Sequence, residues 1–575
     1  MSVVFAHEGE PTVAAEELKA IASDHSISLS ESDAADYLFL LNSLDATIQQ
    51  IADLPPYVDP RLLPEESTLP RTWSKPTENP QNAWSHLTNI TSSRPLDTRL
   101  AGKTVALKDN ISIAQVPLTG GTFPEIFHDK PQVYVPQIDA IVVKRLLQSG
   151  ATVAGSATCE NFSMSPLSFT SATGPVHNVW LRGYTTGGSS SGSATLVSIN
   201  VINAWRKRHN LPSIEHELGP GVDMAVGGDQ GGSIRIPAAY CGIYGLKPTH
   251  GLVPYTGILG LHPMIDHTGP LAASLEDIAT MLSVMAGYDG IDPRMTPESP
   301  LRANVKDYKA LLDSWVKSKE EAGEWTPTAS GKGLRIGLIK ESLEVMGLSP
   351  TVKSAVIEAV ARFKAIGAEV KELSIPLHLI GPSIWTIATR MGLSYYGFQN
   401  NPQPMLNYPI PDLSPPTFGQ KAFDLLTKHN PAVVNIFFSH QLRAKDPARL
   451  RSVTAKAMMH VHELRAAYDA ALADVDVLVT PVNPRVGSKH PDLASSVKEK
   501  MEPGIGGTLN TCGFNVTGHP GLSIPIGFGE VDGANGGKMP IGMQIVGKRW
   551  DEETVLKAAK AWEVPGLGLD TWDGR

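Results

Sequence analysis

The chain has 575 residues, 42% of them hydrophobic and 19% charged, with a net charge of −9. This length predicts more than one domain and a large core, and the composition excludes a disordered chain. The acidic balance argues against a dedicated nucleic-acid binder, which carries a basic footprint. Three cysteines, Cys159, Cys241 and Cys512, lie far apart and are odd in number. They exclude a disulfide framework and a cysteine zinc ribbon, and they point to a reducing compartment. No basic-then-apolar leader, no uncharged apolar run of about 18 residues and no C-terminal address is visible. The expectation is a cytoplasmic enzyme with no membrane association.

In chain order, residues 1–95 read as a helical N-terminal region followed by a linker, and 96–575 as a catalytic domain. Segments 12–23 and 31–53 have helical periodicity, with Leu38, Leu41, Ile48 and Ile51 near one face and Ser30 as an N-cap. The Pro-rich stretch 54–95 reads as a linker or wrapping arm. From residue 100 strands and helices alternate. Strand 103–107 comes first, then helix 138–149 stopped by Gly150, and strand 151–155. The stretch 295–332, rich in Pro, Lys and Glu, reads as a surface connection. Strand 333–339 follows, then helix 351–366 with Val352, Val356, Ala359, Phe363 and Ile366 inward, then strand 368–374. Strands 474–480 and 540–546 and a helix 551–562 capped by Asp551 complete the set. This alternation predicts an α/β fold whose central mixed sheet is covered by helices.

Chemistry concentrates in two glycine- and serine-rich clusters, Gly187–Ser193 and Gly227–Pro237, and in Lys108-Asp109-Asn110 at the end of the first strand. Glycines beside a serine let backbone N–H groups approach a substrate and point the same way, as a developing oxyanion requires. Gly188-Ser189-Ser190-Ser191-Gly192 also matches G-x-S-x-G, which would make Ser190 the nucleophile of an α/β-hydrolase-type esterase. That motif needs a preceding strand, and WLRGYTT does not read as one. Ser314 and Lys317 have Ser-x-x-Lys spacing inside a charged connector. His460 and His462 project about 200° apart on a helix, so one ion cannot easily take both.

Together VALKDNI (105–111), GGSSSGSA (187–194) and GGDQGGSIRIPAAYCGIYGLKPT (227–249) strongly resemble the amidase signature family. The resemblance continues through GLVPYTG, DHTGPLA, VLVTPVNP, NVTGHPGLSIP and MPIGMQIVGKRWDEETVLKAA, over roughly residues 60–565. CENFSMSP (159–166) and GGDQGGSIRIPAA look most like the enantioselective and aryl/aliphatic amidases associated with nitrile breakdown. They look less like the A subunit of a tRNA-dependent amidotransferase, which remains the alternative reading.

The resemblance implies a small-molecule amide substrate and no metal or cofactor. It makes Ser233 the nucleophile, Ser189 a bridging serine held by a cis peptide, and Lys108 the base. The backbone amides of Gln230, Gly231, Gly232 and Ser233 match the family's oxyanion hole. Ser163 matches a position beside the substrate amide. Asp229 and Arg235 flank the nucleophile and read as a buried pair fixing the loop, with a carboxylate anchor as the alternative for Arg235. Lysine is a base only when neutral. Its ordinary pKa of about 10.4 must fall by about 2 pH units, or nearly 3 kcal/mol, to work near pH 8. A homodimer through the N-terminal helices is the expected assembly.

The sequence departs from the family pattern twice. Ser191 stands where the family usually has glycine, at a cost of about 1 kcal/mol or more if that position needs positive φ. Ser189 and Ser233 are also farther apart than usual. The excess falls near 198–221 and reads as a surface hairpin or a helix extension, with a rim element shaping the pocket as the sharper reading.

Overall fold

The computed structural model describes residues 9–127, 133–398 and 418–566. The chain divides into two compact units, Met1–Arg61 and Leu62–Arg575.

The first unit is a helical pair, Ala15–Asp24 and Glu31–Ala52. Ser30 caps the second helix by accepting the Asp33 N–H at 3.0 Å. Buried Asn42 joins the two, its side-chain oxygen accepting the N–H groups of Thr12 at 2.7 Å and Val13 at 2.9 Å. Leu44, Ile48 and Ile51 remain exposed along the second helix.

The second unit is built on one twelve-stranded mixed sheet. Its strands are β1 (Trp73–Ser74), β2 (Trp84–Ile90), β3 (Thr104–Lys108), β4 (Thr152–Ala157), β5 (Met224–Asp229) and β6 (Tyr244–Lys247). The rest are β7 (His267–Ala272), β8 (Arg335–Ile339), β9 (Glu369–Leu373), β10 (Val477–Pro481), β11 (Gly521–Glu530) and β12 (Lys538–Gly547). Their order is β1-β2-β4-β3-β5-β7-β6-β11-β12-β10-β8-β9. β3 is parallel to both β4 and β5, and β8 is parallel to both β9 and β10. The remaining pairs are antiparallel.

Both faces of β3 and β5 are buried, as expected for parallel strands covered on two sides. Val105, Leu107, Met224 and Val226 enter one core. Ala106 and Ala225 enter the other, with Leu196, Val197 and Ile199 of the helix Ser191–Arg208. A third core lies around the helices Leu377–Phe398 and Pro447–Asp474. Among the described residues no helix is long and apolar enough to cross a membrane.

Three local readings differ from the structure. Trp73–Ser74 and Trp84–Ile90 are strands of the sheet, within the stretch read as a linker; the prolines sit outside the paired segments. The helix expected over 138–149 begins at Ile141. Asp139 is held outside it by Arg71 at 2.6 Å and the Ala114 N–H at 2.9 Å. The connection 295–332 contains a helix, Tyr308–Glu321, capped by Asp307.

Candidate active site

Two neighbouring parallel strands end side by side here, and such carboxyl ends commonly open onto a ligand crevice. Lys108 is the last residue of β3. Side chains alternate along a strand, so Lys108 shares the face of Ala106 and points toward the helix Ser191–Arg208. Ser189 lies just before that helix, after a cis Gly188–Ser189 peptide. The Lys108 ammonium nitrogen donates to Ser189 Oγ at 2.8 Å, with both side chains fully buried. Burial pushes the Lys108 pKa down to about 8, while Cys159, Asp229, Glu160 and Asp266 act in the opposite direction. The Cys159 thiol is itself pushed far up by burial, so it stays protonated.

The second cluster follows β5. Asp229 ends the strand and its carboxylate organises the turn beyond it. It accepts the Gly232 N–H at 2.7 Å, the Ile234 N–H at 3.1 Å, Arg235 Nε at 3.0 Å and Asn515 Nδ2 at 2.8 Å. Burial alone would raise the Asp229 pKa, but Arg235 and Asn515 hold it well below the usual carboxylate range. Arg235 is fully buried too, and also donates to Thr511 O at 3.0 Å, Gln544 Oε1 at 2.5 Å and Asn515 Oδ1 at 2.7 Å. These bonds tie Arg235 to the turn, to the 511–515 segment and to β12.

Ser233 sits half-buried at the apex of this turn, and its carbonyl accepts the Ser190 N–H at 3.3 Å. That contact brings the two clusters together. The four amides expected to face a substrate oxyanion are not equivalent. Gly232 N–H is already taken by Asp229, whereas the Gly231 and Ser233 amides have no acceptor among the described residues. Gly232 has φ +136°, and a Cβ there would meet Thr511 Oγ1 at 2.5 Å. Gln230 turns its side chain away, donating to the Tyr255 hydroxyl at 2.9 Å and Asp266 at 3.2 Å.

The segment after β4 closes the other side. Glu160 N–H donates to Ser189 O at 3.3 Å, and Ser163, at φ +58°, donates its N–H to Glu160 O at 2.8 Å. Ser163 therefore lies one hydrogen-bonded turn from Ser189. Ser191 is not in the left-handed region; it begins the helix and donates its hydroxyl to Glu160 Oε1 at 2.7 Å. The residue standing in for glycine gains a hydrogen bond without backbone strain. Burial raises the Glu160 pKa to about 7.

Ser190 is engaged elsewhere: its hydroxyl donates to Gly228 O at 3.1 Å and accepts the Gly228 N–H at 3.2 Å. It is fully buried and follows a loop rather than a strand, so the nucleophile-elbow reading lacks its structural setting. Ser314 and Lys317 are exposed, and Lys317 faces Glu321 across one helical turn. His460 pairs with Glu463 at 2.6 Å on the helix surface.

Trp385 carries no local signal in the sequence that would mark it as a site residue. Its indole N–H donates to Gln230 O at 2.9 Å, and its ring lies 3.1 Å from where a Gly231 Cβ would stand. It thus walls the glycine-rich turn from a helix some 150 residues away in sequence. Thr511, Asn515 and Gln544 are hidden in the sequence for the same reason.

A family model described as Amidase matches residues 65–204 and 219–556. The unmatched interval falls inside the long spacing between Ser189 and Ser233, where the helix Ser191–Arg208 ends and a short helix, Glu215–Leu218, follows. An enantioselective amidase of Rhodococcus rhodochrous is 36% identical over 498 residues, covering 85% of this chain and 84% of that protein. The A subunit of glutamyl-tRNA(Gln) amidotransferase from Methanosarcina acetivorans is 31% identical over 476 residues, with coverages of 81% and 84%. The solved peptide amidase of Stenotrophomonas maltophilia is 26% identical with a TM-score of 0.56, covering 82% of this chain and 84% of that one. With the family model spanning residues 65–204 and 219–556 and a relative 36% identical over 85% of this chain, the chain belongs to the amidase signature family.

Proposed function

We propose that this enzyme hydrolyses aryl or medium aliphatic carboxylic amides to acid and ammonia. The observation that carries the reading is the buried Lys108–Ser189 contact of 2.8 Å, made by a lysine whose pKa lies at about 8. Neutral Lys108 accepts the Ser189 proton while Ser189 accepts that of Ser233, and Ser233 Oγ attacks the amide carbonyl. The Gly231 and Ser233 amides, with that of Gln230, receive the developing oxyanion. Gly232 contributes by holding the turn through Asp229. The proton returns through Ser189 to the leaving nitrogen, ammonia departs, and water cleaves the resulting ester. Ser163 lines the leaving-group side, and Trp385 forms one wall of the acyl pocket. An aromatic wall favours aryl and extended alkyl acyl groups by contact area.

The similarity to an amidotransferase A subunit supports a second reading, in which a partner protein receives the ammonia. One assay separates them. The isolated chain should release ammonia from benzamide, phenylacetamide and hexanamide, and Ser233→Ala should release none. Turnover of glutamine alone, and only with a partner present, would favour the second reading. We further propose a cytoplasmic homodimer. The three free cysteines support the compartment, and exposed Leu44, Ile48 and Ile51 support contact through the N-terminal helices. Sedimentation of the full chain beside a variant with serine at those three positions tests the assembly.

A further inference from the structure

His177 and His490 lie beside the loop that leads into Gly187, outside the machinery described above. Their ring centroids are 5.4 Å apart, with the ring planes at 49°. The Nδ1 atom of each ring is buried and has no hydrogen-bond partner among the described residues. Two buried, unpaired imidazole nitrogens on neighbouring rings are costly unless something satisfies both.

The tautomer of His490 follows from its neighbour. His490 Nε2 lies 3.0 Å from Ser168 Oγ. The Ser168 hydroxyl has one proton, and it is donated to Val176 O at 2.9 Å. Ser168 Oγ therefore accepts from His490 Nε2–H, as it accepts the Thr186 N–H at 2.9 Å. This leaves a free lone pair on His490 Nδ1. Burial, with the neighbouring ring, keeps His490 neutral, its pKa pushed down to about 3, and burial with Arg182 lowers that of His177. Neutral imidazole is the form that ligates a metal.

The spacing fits a shared ion. With metal–nitrogen bonds of about 2.0–2.1 Å, two imidazole centroids around a tetrahedral ion stand about 5.2 Å apart. Ligating histidines commonly donate their second ring N–H to a fixed acceptor, and Ser168 supplies one here. The backbones are fixed as well. His177 bridges Thr185, and Tyr184 bridges Lys489. His490 N–H donates to Gly183 O at 3.0 Å. The two side chains are half-buried, but their Nδ1 atoms are covered, so an ion is taken up only as the two rings part.

We propose that His177 and His490 form a two-histidine site for a divalent ion of the zinc or nickel type, completed by water. Imidazole selects such ions over magnesium and calcium. Two protein ligands make the site weaker than a four-ligand structural zinc site. The ion takes no part in amide cleavage; it ties the segments around 177 and 490 to the loop that enters Gly187.

The test titrates Zn²⁺, Ni²⁺ and Mg²⁺ into the metal-stripped full-length enzyme by calorimetry, with a thermal melt at each end point. The site predicts one saturable Zn²⁺ or Ni²⁺ equivalent, a rise in melting temperature, and no Mg²⁺ response. His177→Gln and His490→Gln should each weaken that binding at least tenfold and remove the thermal shift. If His490→Gln fails to fold, His177→Gln decides alone, because the His177 Nδ1 atom has no internal bond to lose. Absence of a saturable equivalent in the wild-type enzyme, or an unchanged equivalent in His177→Gln, overturns the proposal.

Discussion

Replacing Asp229 by asparagine keeps the shape of the side chain and removes its charge. In the native turn that carboxylate faces Arg235, and neither side chain reaches solvent. The substituted carboxamide would turn an N–H donor toward guanidinium donors. It would leave the Arg235 charge buried among the neutral acceptors Thr511 O, Gln544 Oε1 and Asn515 Oδ1. Breaking one side of a buried pair costs about 3–5 kcal/mol, and these three acceptors place this case toward the lower end. At an unfolding entropy of about 2.1 cal/mol/K per residue over roughly 500 residues, that lower end is a fall of about 3–4 °C in Tm. The same substitution weakens the hold on the Gly232 N–H, so ammonia release from benzamide should fall at least tenfold. The double variant Asp229→Asn/Arg235→Met, which removes both charges, should regain part of the Tm and little of the activity. Differential scanning calorimetry with an ammonia assay checks both arms. An unchanged Tm and unchanged kcat/KM in Asp229→Asn would refute the claim that this pair holds the turn carrying Ser233.

Other consequences follow from particular residues. If neutral Lys108 is required and its pKa is about 8, the reactive fraction rises from about 9% at pH 7 to about 91% at pH 9, so kcat/KM should climb about tenfold over that interval. A profile flat from pH 6 to 9 would contradict the role of Lys108. Lys108→Ala should lower kcat by orders of magnitude with a smaller change in KM, read from initial rates at pH 8.5. Gly232→Ala forces a Cβ against Thr511 and Ile236 at positive φ, and should abolish turnover even where circular dichroism shows a folded chain. Trp385→Ala should raise KM more for phenylacetamide than for acetamide, because only the larger acyl group reaches the ring.

Local periodicity carries much of the fold. The strand at 333–339, the helix at 351–366 and the strand at 368–374 are legible because apolar residues repeat at the right interval and Gly367 marks the stop. Strand β2 is not, because WSHLTNI, a short and mostly buried stretch between prolines, carries little alternation. The site divides in the same way. Lys108, Ser189 and Ser233 sit in dense local motifs. What holds them does not: Asn515, Thr511 and Gln544 reach the Asp229–Arg235 pair from residues more than 270 positions onward, and Trp385 arrives on a separate helix. Ser191 illustrates a subtler limit. Its apparent misfit disappears because the backbone there is helical and the buried Glu160 carboxyl accepts a hydrogen bond from its hydroxyl. The preoccupation of the Gly232 amide by Asp229 is likewise beyond any spacing argument, since it depends on which way one peptide plane turns.

The most direct test of the account is to identify the residue that carries the acyl group. The enzyme would be mixed with p-nitrophenyl benzoate, quenched in acid within the burst, digested with trypsin and sequenced by mass spectrometry. Cleavage after Arg182, Arg206, Arg208 and Arg235 places Ser233 on a different peptide from Ser189, Ser190 and Ser191. The account predicts a benzoyl group on Ser233, absent in Ser233→Ala and formed far more slowly in Lys108→Ala. A benzoyl group on Ser190, or full burst amplitude in Ser233→Ala, would contradict it.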